Sequence, residues 1–144
     1  MKKSLLFRLL RLGAIPKKHR PILVAEGIVV ADEGMAGRLS MKNVRGPGKR
    51  YIHRTEGFSG CLAVTRKRVV CFTYWKRQIQ ISVDDPRISN IFIDVPKPDI
   101  LTISFESAFF REQWSGVMEF QFRTAKAQQF FDAFKSIGAQ PQRK

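Results

Sequence analysis

His19 and His53, the two histidines of the chain, are the side chains best suited to act as a general base. A hydrolytic site would combine one of them with a serine nucleophile and a carboxylate. Neither histidine lies in a Gly-x-Ser-x-Gly elbow, and both have basic neighbours in the sequence. We therefore expect solvated surface histidines and no catalytic residue.

Two further segments resemble chemical motifs in composition only. Asp84 and Asp85 could supply carboxylates to a metal ion, but Pro86 follows them and strand-like sequence flanks the pair. Asp and Pro favour turns through local hydrogen bonds and a fixed φ. The Gly-Pro-Gly-Lys stretch at 46–49 lacks the G-x-x-x-x-G-K-[ST] spacing of a phosphate-binding loop. Both segments predict turns, with no metal site and no cofactor.

The two cysteines, Cys61 and Cys71, are too far apart in sequence to form a C-x-x-C pair. They lie on the two arms of a hairpin whose turn is predicted at 66–67. A two-residue turn places Cys61 opposite Phe72, so the sulfur atoms point to opposite faces. A three-residue turn would place them directly across from each other. We expect free, buried thiols in a reducing compartment, and hence a cytoplasmic location.

Charge is distributed unevenly along the 144 residues, which carry 26 Lys and Arg against 12 Asp and Glu, a net charge of +14. Residues 1–20 hold seven basic side chains and residues 61–80 hold five, with no acid in either segment. Residues 81–123 hold four basic and seven acidic side chains. A basic excess of this kind predicts a polyanionic partner: lipid headgroups, nucleic acid or an acidic protein.

The candidate anion- or lipid-binding residues come from three basic stretches of the chain. Some belong to the N-terminal segment, some to the 46–49 turn region and some to the predicted hairpin and the turn after it. The alternative is that they form solvated loops and strand edges, where Lys also discourages edge pairing. The two hairpin groups lie near opposite ends of one strand, which leaves open whether they form one patch. The candidates are Lys17, Lys18, Arg20, Arg45, Lys49, Arg50, Arg66, Lys67, Arg68, Lys76 and Arg77.

Residues 1–21 form a basic, amphipathic N-terminal segment. Arg8 and Arg11 interrupt its apolar stretch, which argues against a secretory signal peptide. An organellar transit peptide stays open, although the single Ser argues against it. The pattern predicts an interfacial helix whose leucines insert at the headgroup boundary; the alternatives are a helix packed on the domain and a disordered tail. The candidate inserting residues are Leu5, Leu6, Leu9 and Leu12.

From residue 22 onward, apolar and polar residues alternate in short runs, which predicts antiparallel strands. The period then changes to that of a helix, with Thr124 as its expected N-cap and Gly138 as its C′ residue. Its apolar stripe is Ala127, Phe130, Phe131, Phe134 and Ile137. Phe109, Phe110 and Trp114 lie between two predicted strands. We expect these aromatic rings to tuck under the rim of the sheet; the alternative is an exposed docking surface.

The stretch at 60–70, Gly-Cys-Leu-Ala-Val-Thr-Arg-Lys-Arg-Val-Val, resembles the hairpin of GRAM domains and bacterial pleckstrin-homology (PH)-like domains. The ending at 118–124, Met-Glu-Phe-Gln-Phe-Arg-Thr followed by a helix, resembles the last strand and capping helix of that fold. The resemblance covers residues 22–138 and leaves 139–144 as a basic tail. It implies a mainly-β domain, a bent barrel of about seven antiparallel strands capped by one C-terminal helix.

PH-like domains are binding modules rather than enzymes, so the resemblance implies a non-enzymatic function. Members that bind phosphoinositides carry basic residues in the first strand, the following loop and the next strand. Arg45, Lys49 and Arg50 occupy a turn-rich stretch that could serve as that loop. The nearest tight basic cluster, 66–68, lies one hairpin later. Our first hypothesis is peripheral association with an anionic membrane surface, at its inner face. The alternatives are a protein-interaction adaptor that uses the C-terminal helix and adjoining strand edge, and a nucleic-acid-binding protein.

Overall fold

The computed structural model describes residues 3, 13–74, 76–109 and 113–142, without the side chains of 49, 51–53 and 109. These residues form eight strands and two α-helices, with short 3-10 helices at Pro86–Asn90 and Ser107–Phe109. In order, the elements are α1 (Arg20–Glu26), β1 (Ile28–Gly46), β2 (Lys49–Thr65), β3 (Arg68–Thr73), β4 (Lys76–Ser82), β5 (Phe92–Lys97), β6 (Ile100–Glu106), β7 (Ser115–Arg123), α2 (Ala127–Ser136) and β8 (Gln140–Pro141).

All eight strands belong to one curled, half-barrel sheet in the order β4-β3-β2-β1-β7-β6-β5-β8. Two antiparallel meanders, β1 to β4 and β5 to β7, meet where β1 pairs with β7. The short strand β8 pairs in parallel with β5, so the sheet continues to Pro141. The predicted mainly-β class is therefore confirmed, together with its C-terminal helix.

The two longest strands, β1 and β2, form one hairpin that turns at Pro47-Gly48. Register shifts near Val29 and between Asp32 and Met35 bend β1, so it serves both halves of the sheet. Gly37, two residues after the second shift, permits close packing of β1 against its neighbours. A Cβ atom there would clash with the backbone oxygen of Gln121 and approach the Phe58 ring to 2.5 Å.

Helix α2 closes the concave side of the half-barrel with its apolar face. Phe130 and Phe134 of the helix are fully buried in the main core, which also contains Phe120 and Phe122 of β7. Gly138 follows the helix with φ +112°, as expected for its C′ residue. These contacts confirm the predicted apolar stripe, since its remaining members are buried or half-buried.

The predicted N-cap of α2 is wrong. The helix begins at Ala127, and Lys126 occupies the N-cap position without a side-chain hydrogen bond. Thr124 is buried, and its hydroxyl donates to Asp32 Oδ2 at 2.7 Å while it accepts from Lys126 N. Because this hydroxyl joins β1 to the end of β7, Thr124 stabilises the sheet closure rather than the helix end.

Residues 20–26 form a helix where the sequence predicted the start of the β region. Pro21 suits the first helical turn because the N–H that it lacks has no intrahelical partner there. Gly27 ends the helix with φ +85°. Leu23 is buried with Ile15 on the outer face of β2 and β3, in a second apolar cluster apart from the main core.

The predicted hairpin is confirmed, with Arg66 and Lys67 as its two-residue turn. Cys61 pairs with Phe72 in this register, so the two cysteines lie on opposite faces of the sheet. Cys61 belongs to the outer cluster and Cys71 to the main core. Both thiols are free and buried, and burial raises the pKa of Cys61 to about 12 and that of Cys71 well above its ordinary value.

Candidate functional site

Helix α1 lies on the outer face of β2 and β3. At its N-terminal end, the His19 imidazole packs on the Phe72 ring, with centroids 5.1 Å apart. At its C-terminal end, the Gly27 carbonyl accepts a hydrogen bond from Arg66 N at 3.0 Å. The residues that flank the helix therefore contact Phe72 at one end and the hairpin turn at the other.

This placement brings basic residues from both ends of the hairpin to one surface. Arg77 of β4 is the cross-strand partner of Phe72 and so lies beside His19. Partial burial, and then the positive charges of Lys18, Arg77 and Arg68, lower the pKa of His19. Arg68 of the first hairpin group and Arg77 of the second therefore lie near the same imidazole, whereas Lys76 does not join them. We call this surface the outer basic face; it comprises Lys17, Lys18, Arg66, Lys67, Arg68 and Arg77.

Two of the predicted anion-binding residues are engaged by acids. Arg68 forms an ion pair with the nearly buried carboxylate of Glu26, at 2.5 Å. Arg20 forms one with Glu33 at 2.7 Å, and the same carboxylate oxygen accepts from the Ile15 backbone N–H. The two ion pairs hold helix α1 to the sheet.

Four other exposed cations of the outer basic face have no acidic partner of this kind among the described residues. All four are exposed, so their charges are available to an external anion. They are Lys17, Lys18, Arg66 and Lys67.

The basic residues of the 45–50 region lie elsewhere. Arg45 pairs directly with Arg50 at the tip of the β1–β2 hairpin, at the opposite end of β2 from the 66–67 turn. Lys49 is opposite Gly46 in the same register. Like charges facing each other across a hairpin are unfavourable, but this tip does not join the outer basic face. Lys76, at the start of β4, instead lines a cleft of about 530 Å³ with Leu39 and Phe58.

Exposed aliphatic side chains adjoin the hairpin turn, and sequence reasoning missed them. They surround Gly27, whose backbone is bonded to Arg66, so apolar and basic groups share one end of the half-barrel. The sequence feature that could have indicated them is the high proportion of apolar residues at 22–30, but that feature predicted a buried strand. The exposed fractions are 48% for Ile22, 61% for Val24, 42% for Ile28 and 57% for Val29.

The predicted inserting leucines, Leu5, Leu6, Leu9 and Leu12, lie outside the described residues. Lys3 is described, and its ammonium group donates to Asp32 Oδ1 at 2.5 Å and to the Glu33 carbonyl at 2.6 Å. Burial raises the pKa of Asp32, but hydrogen bonds from Lys3 and Thr124 and the Lys3 charge outweigh it and hold the pKa below its usual range. Residue 3 therefore lies against β1.

The aromatic loop after β6 is described in part. Trp114 is half-buried and packs against the main core, where its indole covers Gly46. The predicted packing under the rim is thus confirmed for Trp114, whereas Phe110 and the side chain of Phe109 lie outside the described residues.

The segments that resembled chemical motifs have local roles. Asp85 accepts hydrogen bonds from the backbone and guanidinium of Arg87 at the start of a 3-10 helix, in agreement with the predicted turn. Within the described part of the chain, no three His, Cys, Asp or Glu side chains are grouped as metal ligands would be. Among these same residues, no helix has the length and apolarity needed to cross a bilayer.

The sequence was compared with models of known protein families and with curated proteins. Neither comparison found a match.

Proposed function

We propose that this protein is a non-enzymatic binding module that associates peripherally with an anionic membrane surface, on the cytoplasmic side. The proposal rests on one observation: the exposed aliphatic residues around Gly27 adjoin the outer basic face at Arg66. A membrane interface accepts both groups, because aliphatic side chains enter the acyl boundary while cations remain at the phosphates.

The energy available from this surface suits reversible binding. Each basic residue near an anionic surface contributes about 1 kcal/mol, so the four without acidic partners contribute about 4 kcal/mol together. The aliphatic groups add to this through burial of apolar area. Lys17 and Lys18 precede α1 while Arg66 and Lys67 form the hairpin turn, so the two pairs contact the membrane from two elements.

We further propose that the fold is PH-like, of the GRAM or bacterial PH type. The proposal is supported by the two antiparallel meanders joined through β1 and β7, and by the C-terminal helix that closes them. It is also supported by the hairpin at 60–70, which has the turn that the resemblance requires. The N-terminal leucines, Leu5, Leu6, Leu9 and Leu12, would add a second membrane contact.

Sedimentation with phosphatidylglycerol vesicles at low salt tests the membrane proposal. We expect the double variant Arg66→Gln/Lys67→Gln to bind roughly 30-fold more weakly, the equivalent of about 2 kcal/mol. The control Lys42→Gln/Lys135→Gln removes the same charge from exposed positions elsewhere and should retain the original affinity. Equal losses in both doubles, or no binding by the unmodified chain, would refute the proposal.

A protein-interaction adaptor is the second candidate, favoured by Phe92. This residue of β5 is 41% exposed and pairs with Gln140 in the two-residue edge strand β8, close to the end of α2. A Phe92→Ser variant should then lose a partner captured by the unmodified chain in detergent, while vesicle binding persists. Nucleic-acid binding would appear instead as strongly salt-dependent retention on nucleic acid.

A further inference from the structure

A second basic site lies on the outer face of the other half of the sheet. A cleft of about 750 Å³ opens over β1, β7, β6 and the β5–β6 turn. Its lining includes three cationic side chains, one amide, one carboxylate and an apolar floor. These residues are Arg38, Lys97, Arg123, Gln121, Asp99 and Ile100.

Strand register explains why these side chains converge. Gln121 and Arg123 alternate with the buried Phe120 and Phe122, so both point away from the core. Gln121 is the cross-strand partner of Arg38, which places the amide beside that guanidinium. Cross-strand neighbours on one face have Cβ atoms about 5 Å apart, well within the reach of these long side chains.

Strands β6 and β5 form the floor and the far wall of the cleft. Ile100 of β6 pairs with Arg123 on one side and with Lys97 on the other, so a buried aliphatic group separates two cations. Strands lie about 4.8 Å apart, which spaces the two backbones by about twice that distance. A compact anion above Ile100 is therefore within reach of both side chains.

The charge of the cleft is unbalanced. Arg38, Lys97 and Arg123 are exposed, and none of them forms an ion pair with an acid of the described residues. Among the described residues, Asp99 is the one carboxylate that lines the cleft. Its backbone carbonyl accepts a hydrogen bond from Thr124 N at 2.9 Å, which fixes the β5–β6 turn against the end of β7. Three positive charges against one negative charge favour a dianion.

We propose that this cleft binds a phosphate monoester. The two guanidinium groups can each present paired N–H donors to phosphate oxygens, and Lys97 adds a point charge. A monoester carries close to two negative charges near pH 7, which matches the excess charge of the cleft. The Gln121 amide and the Ile100 floor remain for the group esterified to the phosphate.

Calorimetric titration with glycerol 3-phosphate tests the site. We expect saturable binding by the unmodified chain, weakened at least tenfold in Arg38→Gln and in Arg123→Gln, as removal of a charge-assisted donor implies. The control Arg87→Gln removes an equal charge away from the cleft and should bind as the unmodified chain does. No saturable binding, or equal weakening by all three variants, would overturn the proposal.

The phosphate could be carried by a soluble metabolite or by a lipid headgroup, and vesicles distinguish these sources. A membrane source predicts that Arg123→Gln reduces binding to phosphatidic acid vesicles but not to phosphatidylglycerol vesicles, because only the former carry a monoester. A soluble source predicts that Arg123→Gln weakens the binding of glycerol 3-phosphate but has no effect on binding to either vesicle. The Arg66→Gln/Lys67→Gln double should keep its affinity for glycerol 3-phosphate, so failure of the membrane proposal and failure of this site are distinguishable.

Discussion

The His19 imidazole packs on the Phe72 ring, 5.1 Å between centroids, at the point where α1 meets β3. The contact fixes a titratable group on the outer basic face. Partial burial and the nearby charges of Lys18, Arg77 and Arg68 hold its pKa below the ordinary value of 6.5. The surrounding cations and the partial burial therefore favour the neutral imidazole over the protonated one.

Acidification should weaken the fold through His19. Because the folded-state pKa is lowered, the unfolded state takes up the proton first as pH falls below 6.5. Stability is unaffected by this group above that pH and decreases below it, until the folded state is protonated too. Chemical denaturation at pH 7.5 and pH 5 should show a smaller pH-dependent loss in His19→Gln than in the unmodified chain; an equal loss would contradict the prediction.

The same residue should make vesicle binding pH-dependent. An anionic surface favours the protonated imidazole, so affinity for phosphatidylglycerol vesicles should increase from pH 7.5 to pH 5. The His19→Gln variant should show less of this increase. An equal increase in both proteins would assign the pH dependence to another group.

Glu26→Gln should separate stability from binding on the outer basic face. The Glu26 carboxylate is nearly buried, pairs with Arg68 and accepts from the Thr65 hydroxyl at 3.1 Å. Loss of its charge should lower the free energy of unfolding by about 1–3 kcal/mol. It should also strengthen vesicle binding about fivefold, because the Arg68 charge becomes available. Urea denaturation and vesicle sedimentation measure the two effects, and weaker vesicle binding would refute the second.

Gly37→Ala should be strongly destabilising, because the new methyl group would clash with the Gln121 backbone oxygen and the Phe58 ring. We expect a loss of more than about 2 kcal/mol by urea denaturation. Gly57→Ala, on the neighbouring strand, is the matched control. Its Cβ would have no heavy atom nearer than 3.9 Å, so the change should cost less than about 1 kcal/mol. Similar losses in the two variants would contradict the close packing described for Gly37.

Both thiols should resist modification in the folded protein. Cys61 and Cys71 are buried with raised pKa values, so little thiolate is accessible at pH 8. Labelling by 5,5′-dithiobis(2-nitrobenzoate) should be slow in buffer and accelerate with urea in step with the loss of structure. Rapid labelling of either residue in buffer would place that sulfur at the surface.

The spacing of apolar residues was sufficient to predict those strands and helices in which the apolar residues are also the buried ones. The hairpin at 66–67 and α2 are examples, because one has clean alternation and the other has an apolar stripe with Gly138 after it. The helix at 20–26 was missed because Ile22, Leu23 and Val24 also suit a strand. Only packing decides that Leu23 alone is buried there.

The candidate sites depended on long-range placement, which local patterns do not contain. The sequence identified Lys18, Arg68 and Arg77 as basic but could not place them on one surface, since α1 was not predicted. Arg38 and Arg123 were not predicted as anion-binding residues, because each is isolated in the sequence. Strand register alone brings them to one cleft, through the pairing of β1 with β7.

That pairing also constrains how the chain reaches its folded state. Gly37 of β1 pairs with Phe122 of β7. The strand shared by both meanders therefore completes its pairing only with a strand near the C-terminus. Contacts this distant in sequence slow folding, because a long loop must close first. During synthesis, the first hairpins emerge with one side of β1 still unpaired. An edge of that kind invites pairing with other chains, so the interval before β7 leaves the ribosome is when this protein is most exposed to aggregation.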